Sequence, residues 1–216
     1  MKIKVENLNK EFKSNIIIEN INLEFESGNI YGLRGRNGSG KSVFLKLLCG
    51  LYIPTSGKIY YDDKVLTTNN NHKFNIGALI ENPKFFNDLT GYQNLEILAN
   101  IKKIIAKDKI EEILKLVNLY NEKDKKFGKY SLGMKQKLGI AQAIMENQNI
   151  IILDEPFNGI EEDTVKKIKE YLLKEKEKDK IIIISSHIKE DLEDLCDKIY
   201  EFNSGKISGR TEHESD

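Results

Sequence analysis

Short apolar stretches of strand length recur along this chain between polar segments. Residues 2–8 alternate polar and apolar side chains, which predicts a half-buried strand. The continuous apolar runs Ile150–Leu153 and Ile181–Ile184 are typical of strands buried inside a parallel sheet. Further strands are expected at Ile16–Ile18, Ile21–Phe25, Ile30–Leu33, Lys58–Tyr61, Lys64–Leu66 and Phe74–Ile80, with a closing hairpin over Lys198–Ile207 and a frayed polar tail from Gly209.

Helical spacing of apolar residues dominates the middle of the chain and separates two groups of strands. Helices are expected over Tyr92–Leu119, from an N-cap at Ser131 to Ile144, over Glu162–Lys176 and over Lys189–Cys196. The polar segment around His72 is expected to be a solvated loop. We therefore predict one domain over residues 1–216, with a core of 1–81 and 147–216 and a helical subdomain of 82–146.

Charge and cysteine content place few limits on the partners of the chain. Its 216 residues include 34 Lys+Arg and 34 Asp+Glu, so net charge gives no argument for nucleic acid or an anionic membrane. The two cysteines fit no metal-binding spacing. No apolar run approaches the roughly 18 residues that span a bilayer, and Met1–Lys10 lacks the apolar core of a secretory signal. We expect a soluble chain that needs a partner to work at a membrane.

A glycine-rich loop follows the predicted strand Ile30–Leu33. It reads Gly35-Arg36-Asn37-Gly38-Ser39-Gly40-Lys41-Ser42, fits G-x-x-x-x-G-K-[ST], and is followed by helical spacing. Glycines let backbone N–H groups close round a polyphosphate, and the helix presents its positive dipole end to the same anion. Lys41 supplies a charge for the β- and γ-phosphates, and the Ser42 hydroxyl is a ligand that suits Mg²⁺. The loop predicts a nucleotide-binding site that includes all eight residues.

Polar residues end both of the continuous apolar strands. Asp154 follows Leu153 and is predicted to reach Mg²⁺, directly or through water. Glu155 comes next and is suited to orient or deprotonate an attacking water. His187 stands at the end of the neighbouring strand, where we expect it either to donate to the γ-phosphate or to pair with Glu155. These residues form the predicted catalytic edge of the sheet.

Three other residues have both a structural and a functional interpretation. Phe12 is an aromatic residue ahead of the loop, which fits either simple exposure or stacking on a purine ring. Ser131 begins a helix, where it serves as a cap or as part of an anion site with Gly133. Glu81 follows the strand Phe74–Ile80 and either ligates Mg²⁺ or faces solvent from a loop.

In order and spacing, these motifs resemble the nucleotide-binding domain of ABC transporters along essentially the whole chain. The stretch Tyr130–Gln136 resembles the LSGGQ-type signature, and Asn158–Glu161 resembles the D-loop. Phe12 occupies the aromatic A-loop position, and Glu81 stands where the Q-loop begins. The resemblance is closest to single-domain ATPases of bacitracin- and lantibiotic-type export or immunity systems.

This resemblance implies an α/β fold. Its P-loop NTPase core would hold a mainly parallel central sheet, an N-terminal antiparallel β portion and an inserted helical subdomain. It implies Mg²⁺-dependent ATP hydrolysis with Glu155 as the base and His187 as a γ-phosphate sensor. Ser131, Gly133 and Gln136 of a second copy, or of a paralogous ATPase, would close over the bound ATP. A separate permease would dock on the helical subdomain and hold the chain at the inner face of the membrane. The exported substrate would be an antimicrobial peptide, an antibiotic or a similar amphiphile.

Three positions depart from the family pattern. Leu132 stands where the signature usually has its first glycine, Glu161 where the D-loop usually has aspartate, and Glu81 where the Q-loop usually has glutamine. The first two affect fine geometry, and the third adds a carboxylate to the predicted metal site. Two alternatives remain open: a soluble ATP-gated switch without a permease, and a small-molecule kinase that would leave residues 130–136 unexplained.

Overall fold

The computed structural model describes residues 1–67, 69–70 and 74–212, so the predicted loop position of His72 lies outside the described residues. An N-terminal sheet has the strand order β2-β1-β4-β5, and all of its neighbouring strands are antiparallel. Its strands are β1 Lys2–Phe12, β2 Asn15–Glu26, β4 Ser56–Tyr61 and β5 Lys64–Val65. This sheet is the predicted antiparallel β portion.

The second strand is one continuous element, so the possible third strand at Ile21–Phe25 is not separate. Leu8 pairs with Ile21 and Lys10 with Ile18, and the register shifts between them. Asn20, between the two apolar stretches, has a φ of 48°. The polar interruption is therefore a β-bulge that lets both stretches remain in one strand.

A central sheet has the order β10-β9-β3-β8-β7-β6 and carries the predicted active edge. Its strands are β3 Asn29–Arg34, β6 Ile76–Leu79, β7 Ile150–Asp154, β8 Ile181–Ser186, β9 Lys198–Asn203 and β10 Lys206–Glu212. All neighbours are parallel except β9 and β10. The prediction of a frayed tail from Gly209 is wrong as far as Glu212, because backbone pairing with β9 orders an edge strand whatever its side chains are.

Six α-helices complete the described fold: α1 Lys41–Leu48, α2 Gly91–Lys102, α3 Lys107–Leu116, α4 Leu132–Ile144, α5 Glu162–Lys176 and α6 Glu190–Glu193. The predicted helical stretch Tyr92–Leu119 is two helices, because Lys103 ends α2 in the left-handed conformation. The predicted helix over Lys189–Cys196 is shorter than expected.

The helical insertion shares its core with the central sheet. Leu95 and Leu138 of α2 and α4 are fully buried in the same apolar cluster as Leu153 and Leu79. A second cluster fills the space between the N-terminal sheet, α1 and the other face of the central sheet. The carboxyl ends of β3, β7 and β8 meet at one edge, where the glycine-rich loop and the acidic residues lie.

Candidate active site

The glycine-rich loop between β3 and α1 adopts conformations that need glycine. Gly38 and Gly40 have φ angles of 79° and 106°, in the left-handed region. A Cβ on Gly35 would lie 2.4 Å from the carbonyl oxygen of Phe202, and one on Gly40 would lie 3.0 Å from that of Ile17. A larger residue at Gly35 or Gly40 would therefore push the loop away from the backbone of the neighbouring strands.

Lys41 is the first residue of α1, and its side chain folds back over the loop. Its Nζ donates to the carbonyl oxygen of Gly35 at 2.6 Å and lies 3.3 Å from Oε1 of Glu155. The Lys41 side chain is 5% exposed. Gly40 provides no side-chain cap, so the first N–H groups of α1 have no side-chain acceptor there. A phosphate is the kind of group that satisfies such a helix end.

The register of β7 with β8 brings Asp154 opposite Ser185. The Ser185 hydroxyl donates to Oδ1 of Asp154, which is 4% exposed. The backbone N–H of Glu155 donates to the carbonyl oxygen of Ser185 at 3.0 Å. Glu155 has a φ of 47°, a left-handed conformation that costs a non-glycine residue about 1–3 kcal/mol. Strain of this kind is frequent at functional sites, and catalysis by Glu155 stays a prediction.

His187 pairs with Glu155 across the end of the sheet. Its Nδ1 lies 2.8 Å from Oε2 of Glu155, and its backbone N–H donates to the same oxygen at 3.3 Å. The predicted pairing of His187 with Glu155 is confirmed, and its contact with the γ-phosphate stays a prediction. The Glu155 carboxylate therefore stands between the Lys41 ammonium and the His187 ring.

The signature stretch begins α4 and packs against the loop after β7. Ser131 is the N-cap, and its hydroxyl accepts a hydrogen bond from the backbone N–H of Met134 at 3.2 Å. A Cβ on Gly133 would lie only 2.2 Å from the carbonyl oxygen of Gly159. The cap interpretation of Ser131 is confirmed, and its contact with nucleotide stays a prediction. Gly133 is needed within this copy for close packing of the D-loop.

Gln136 has a different contact from the one predicted. The sequence placed it among the nucleotide-binding residues of the signature. Its side chain is 7% exposed and its Nε2 donates to the backbone carbonyls of Glu155 at 2.9 Å and Pro156 at 3.3 Å. Gln136 lies three residues after Gly133, on the buried face of α4, so its amide points toward the core. Gln136 therefore ties α4 to the backbone of Glu155 and Pro156.

Glu161 in the D-loop pairs with the residue after Gln136. Lys137 Nζ lies 3.0 Å from Oε2 of Glu161, and the Lys137 side chain is 5% exposed. A hydrogen bond from its own backbone and one from Lys137 hold the pKa of the Glu161 carboxyl below its ordinary value. Glutamate at this position therefore reaches a buried lysine on α4.

Glu81 and Phe12 lie at the two ends of a run of side-chain contacts. The Glu81 carboxylate, 60% exposed, pairs with Lys46 of α1 at 2.5 Å. Lys46 lies over the ring of Tyr52, and Phe12 meets that ring edge-on with 5.4 Å between centroids. Lys10 lies 4.7 Å above the Phe12 ring. Phe12 is 39% exposed, which leaves part of its surface for stacking, and metal ligation by Glu81 stays a prediction.

Sequence reasoning assigned no role to four residues in these contacts. Ser185 supports Asp154, and its one signal was its position at the end of an apolar strand. Lys46 and Lys137 lie on helix faces among many lysines, and no local pattern separates them from solvated ones. Tyr52 follows α1 in a turn and gains its significance only from the neighbouring rings.

The residues present fit a nucleotide phosphate and a hard metal ion. The Ser39 hydroxyl is buried in the loop without a hydrogen-bond partner among the described residues. The space beside Gly35 and Gly40 is closed to a Cβ, as in a tight backbone cradle. Ser42 and Asp154 supply the oxygen ligands that Mg²⁺ prefers. The part of the chain that the structure describes holds no group of three or more His, Cys, Asp or Glu arranged for a metal. Mg²⁺ binds through few protein groups and keeps several waters, so phosphate and water oxygens would complete its ligands beside Ser42 and Asp154.

Comparison with known proteins decides the family. The family model described as "ABC transporter" matches residues 18–158. This chain belongs to the ABC transporter family. An uncharacterized ABC transporter ATP-binding protein, YybJ of Bacillus subtilis, is 43% identical over 95% of this chain and 94% of its own length. The bacitracin transport ATP-binding protein BcrA of Enterococcus faecalis is 39% identical over 95% of this chain and 67% of its own length.

A solved ABC cassette has the same architecture. The dimeric post-hydrolysis structure of the ATP-binding cassette MJ0796, bound to ADP and Pi, superposes with a TM-score of 0.90 at 25% identity. It covers 99% of both chains. The predicted fold class and the predicted resemblance are therefore confirmed. The chain is an ATP-binding and ATP-hydrolysing ABC ATPase of the transporter type. Within the described residues, no helix is long and apolar enough to cross a membrane.

Proposed function

We propose that this ABC ATPase hydrolyses Mg²⁺-ATP between two ATPase copies and thereby drives a separate permease that exports an antimicrobial peptide, an antibiotic or a similar amphiphile. The observation that carries the hydrolytic part is the position of the Glu155 carboxylate. It stands between Lys41 and His187, at the sheet edge that borders the glycine-rich loop. Its two neighbours hold this carboxylate at the edge where the loop would bind the nucleotide phosphates.

Each residue at this edge has a separate task in the proposed reaction. Glu155 accepts a proton from the water that attacks the γ-phosphate, and His187 holds the glutamate in place. Lys41 and the N-terminus of α1 bind the phosphate oxygens. Ser42 and Asp154 would hold Mg²⁺, whose charge would neutralise the phosphate oxygens.

The proposed composite site rests on the signature stretch at the start of α4. Ser131 is exposed at the start of α4, beside Gly133, and a helix start of this kind suits an anion. The dimeric structure of the similar cassette supports closure by a second copy. Phe12, with its partly exposed ring, is the proposed stack for the adenine base.

A groove on the helical subdomain supports the permease partner. A cavity of 730 Å³ lies between the loop after β6, α2 and α4. The buried side chain of Asn94 binds both the N–H and the carbonyl of Phe86, at 2.9 and 3.1 Å. This clamp holds the Phe86 ring outward, 64% exposed, near Ile97, which is 41% exposed. Exposed apolar side chains round a preformed groove favour a protein partner over a free soluble switch. The permease would hold the chain at the cytoplasmic face of the membrane.

The name of one relative supports the proposed substrate class. BcrA is a bacitracin transport ATP-binding protein, and it is 39% identical to this chain. We therefore place the substrate among amphiphilic peptides or antibiotics. Cells that express this chain together with its partner permease should tolerate more bacitracin than cells that express the Glu155→Gln variant with the same permease. Equal tolerance with a transporter that hydrolyses ATP would argue for another substrate.

Hydrolysis and dimer closure are tested with three variants. Lys41→Ala should lose ATPase activity and bind ATP weakly while its thermal unfolding stays close to that of the parent. Glu155→Gln should bind Mg²⁺-ATP, stall and run as a dimer in size-exclusion chromatography. Adding Ser131→Arg should abolish that dimer, whereas adding Ser208→Arg on the exposed edge strand should not. A folded Lys41→Ala protein with normal turnover would refute the site, and a monomeric Glu155→Gln protein with bound ATP would refute the sandwich.

The permease contact is tested by cell fractionation. Co-expressed with the permease, the parent should appear with the membranes, and expressed alone it should not. Phe86→Asp or Ile97→Asp should release it, because a charge in the groove would lose its solvation on docking. Leu173→Asp on α5, where the side chain is 40% exposed, is the matched control. Release by all three variants would mean that the groove is not the docking surface.

The stacking role of Phe12 has a direct optical test. The chain contains no tryptophan, so Phe12→Trp creates a single reporter. The tryptophan emission should change when ATP is added. The change should be smaller at the same ATP concentration in the double variant Phe12→Trp/Lys41→Ala, which binds ATP weakly. If the emission of Phe12→Trp stays unchanged at saturating ATP, the base does not stack at this position.

A further inference from the structure

The structure gives the carboxylate at the Q-loop position a partner inside the same copy. Glu81 follows β6 with a φ of 59°, a strained conformation for a non-glycine residue. Its Oε1 lies 2.5 Å from Nζ of Lys46. A glutamine at this position would carry no charge for a lysine to pair with. The ion pair therefore depends on the glutamate at this position.

Lys46 lies on the face of α1 that also carries Ser42. Residues four apart on a helix project from the same face, one turn apart. Ser42 is the proposed metal ligand, so Lys46 stands about 6 Å further along the helix axis. A Glu81 side chain bound to Lys46 would have to move back by about one turn to reach a metal ion at Ser42.

Aromatic residues support Lys46 in that position. Its ammonium lies 5.3 Å from the centre of the Tyr52 ring, and the side chain is 18% exposed. Tyr52 in turn meets Phe12, the proposed adenine stack, edge-on at 5.4 Å. The contacts run without a gap from the proposed base site to Glu81. A lysine supported in this way loses less conformational freedom when it forms an ion pair.

We propose that Lys46 is a positioning residue that holds Glu81 away from the metal site until Mg²⁺-ATP binds. This inference rests on the proposed placement of Mg²⁺ beside Ser42. The Lys46–Glu81 pair and metal ligation by Glu81 are then mutually exclusive states of one side chain. Binding of Mg²⁺-ATP has to break the pair, so the pair raises the Mg²⁺ concentration that the site requires.

The test is an Mg²⁺ titration of nucleotide binding, read without turnover. A fluorescent ATP analogue with an N-methylanthraniloyl group on the ribose reports binding to the parent and to each variant. Lys46→Met keeps the apolar stem over Tyr52 and removes the charge. It should lower the half-saturating Mg²⁺ concentration about two- to fivefold, the range expected from one partly exposed ion pair. Lys46→Arg keeps the pair and should match the parent.

A double-mutant cycle separates this effect from a general change at the site. In a Glu81→Gln background, Lys46→Met should leave the Mg²⁺ requirement unchanged, because there is no carboxylate to release. An unchanged requirement in Lys46→Met alone would overturn the proposal. A raised requirement would also overturn it, since Lys46 would then be directing Glu81 toward the metal. If the parent shows no Mg²⁺-dependent binding at all, the proposed function itself fails and this inference with it.

Discussion

Replacement of Gln136 by methionine tests whether α4 positions the catalytic glutamate from within the same copy. The Gln136 amide is buried and donates to the backbone carbonyls of Glu155 and Pro156. Methionine has a similar length and volume but no donor, so Gln136→Met leaves both buried acceptors without this partner. The change removes the link between α4 and the segment Glu155-Pro156 and leaves the glycine-rich loop unchanged.

The magnitude follows from the two hydrogen bonds. Each contributes about 0.5–1.5 kcal/mol net, so their loss should lower the free energy of unfolding by about 1–3 kcal/mol. For a chain of 216 residues, each kcal/mol lowers Tm by about 2–4 °C, which gives a fall of about 2–12 °C. Glu155 is held in a strained conformation, so freeing its carbonyl should also misplace the carboxylate. A loss of about 1.4 kcal/mol in transition-state stabilisation would lower kcat tenfold.

The assay compares thermal unfolding, kcat and ATP affinity in three proteins. Gln136→Met should lower Tm and kcat and leave ATP affinity close to that of the parent. Gln142→Met, at a half-buried position on the same helix, controls for the loss of any α4 glutamine. A parent-like Tm and kcat would refute the positioning role. Weaker ATP binding with normal stability would favour the nucleotide contact that the signature resemblance predicted.

Three further outcomes are expected from the packing and the charges. Gly133→Ala should abolish most ATPase activity in a folded protein, because its Cβ would clash with the D-loop backbone, whereas Gly209→Ala, with 3.4 Å to its nearest neighbour, should not. Burial opposes ionisation of Glu175, yet hydrogen bonds from lysines, Lys180 among them, hold its pKa below the ordinary value. The stability that Glu175 contributes is therefore present above the ordinary carboxyl range and lost as pH falls, so denaturant unfolding of parent and Glu175→Gln should converge in acid. Burial raises the pKa of the Cys49 thiol to about 12, so it should react with iodoacetamide only after unfolding.

Local patterns predicted the parts of the fold whose causes are local. Ile150–Leu153 and Ile181–Ile184 form buried strands because no polar side chain interrupts either run, and one apolar cluster covers each face of the sheet. The helix over Glu162–Lys176 has the predicted bounds, since its apolar spacing is regular from end to end. The phosphate loop was predictable because its glycines, lysine and serine serve one function at a fixed spacing.

Other features depended on contacts between distant residues and had no local signal. β10 is ordered by backbone pairing with β9, so its polar composition was misleading. The sequence showed Gln136 next to Ser131 and Gly133, and the family resemblance grouped all three at the nucleotide. The structure separates them, because one turn of helix carries Gln136 from the exposed start of α4 to its buried face.

At both acidic departures from the family pattern, a lysine pairs with the glutamate. At the D-loop, Glu161 is one methylene longer than aspartate, and Lys137 receives its carboxylate at 3.0 Å. At the Q-loop, Glu81 brings a charge that glutamine lacks, and Lys46 neutralises it at 2.5 Å. Each departure is matched by a cation on the helix that faces it, α4 in one case and α1 in the other. The charge introduced by each glutamate is therefore balanced by a second position, Lys46 for Glu81 and Lys137 for Glu161.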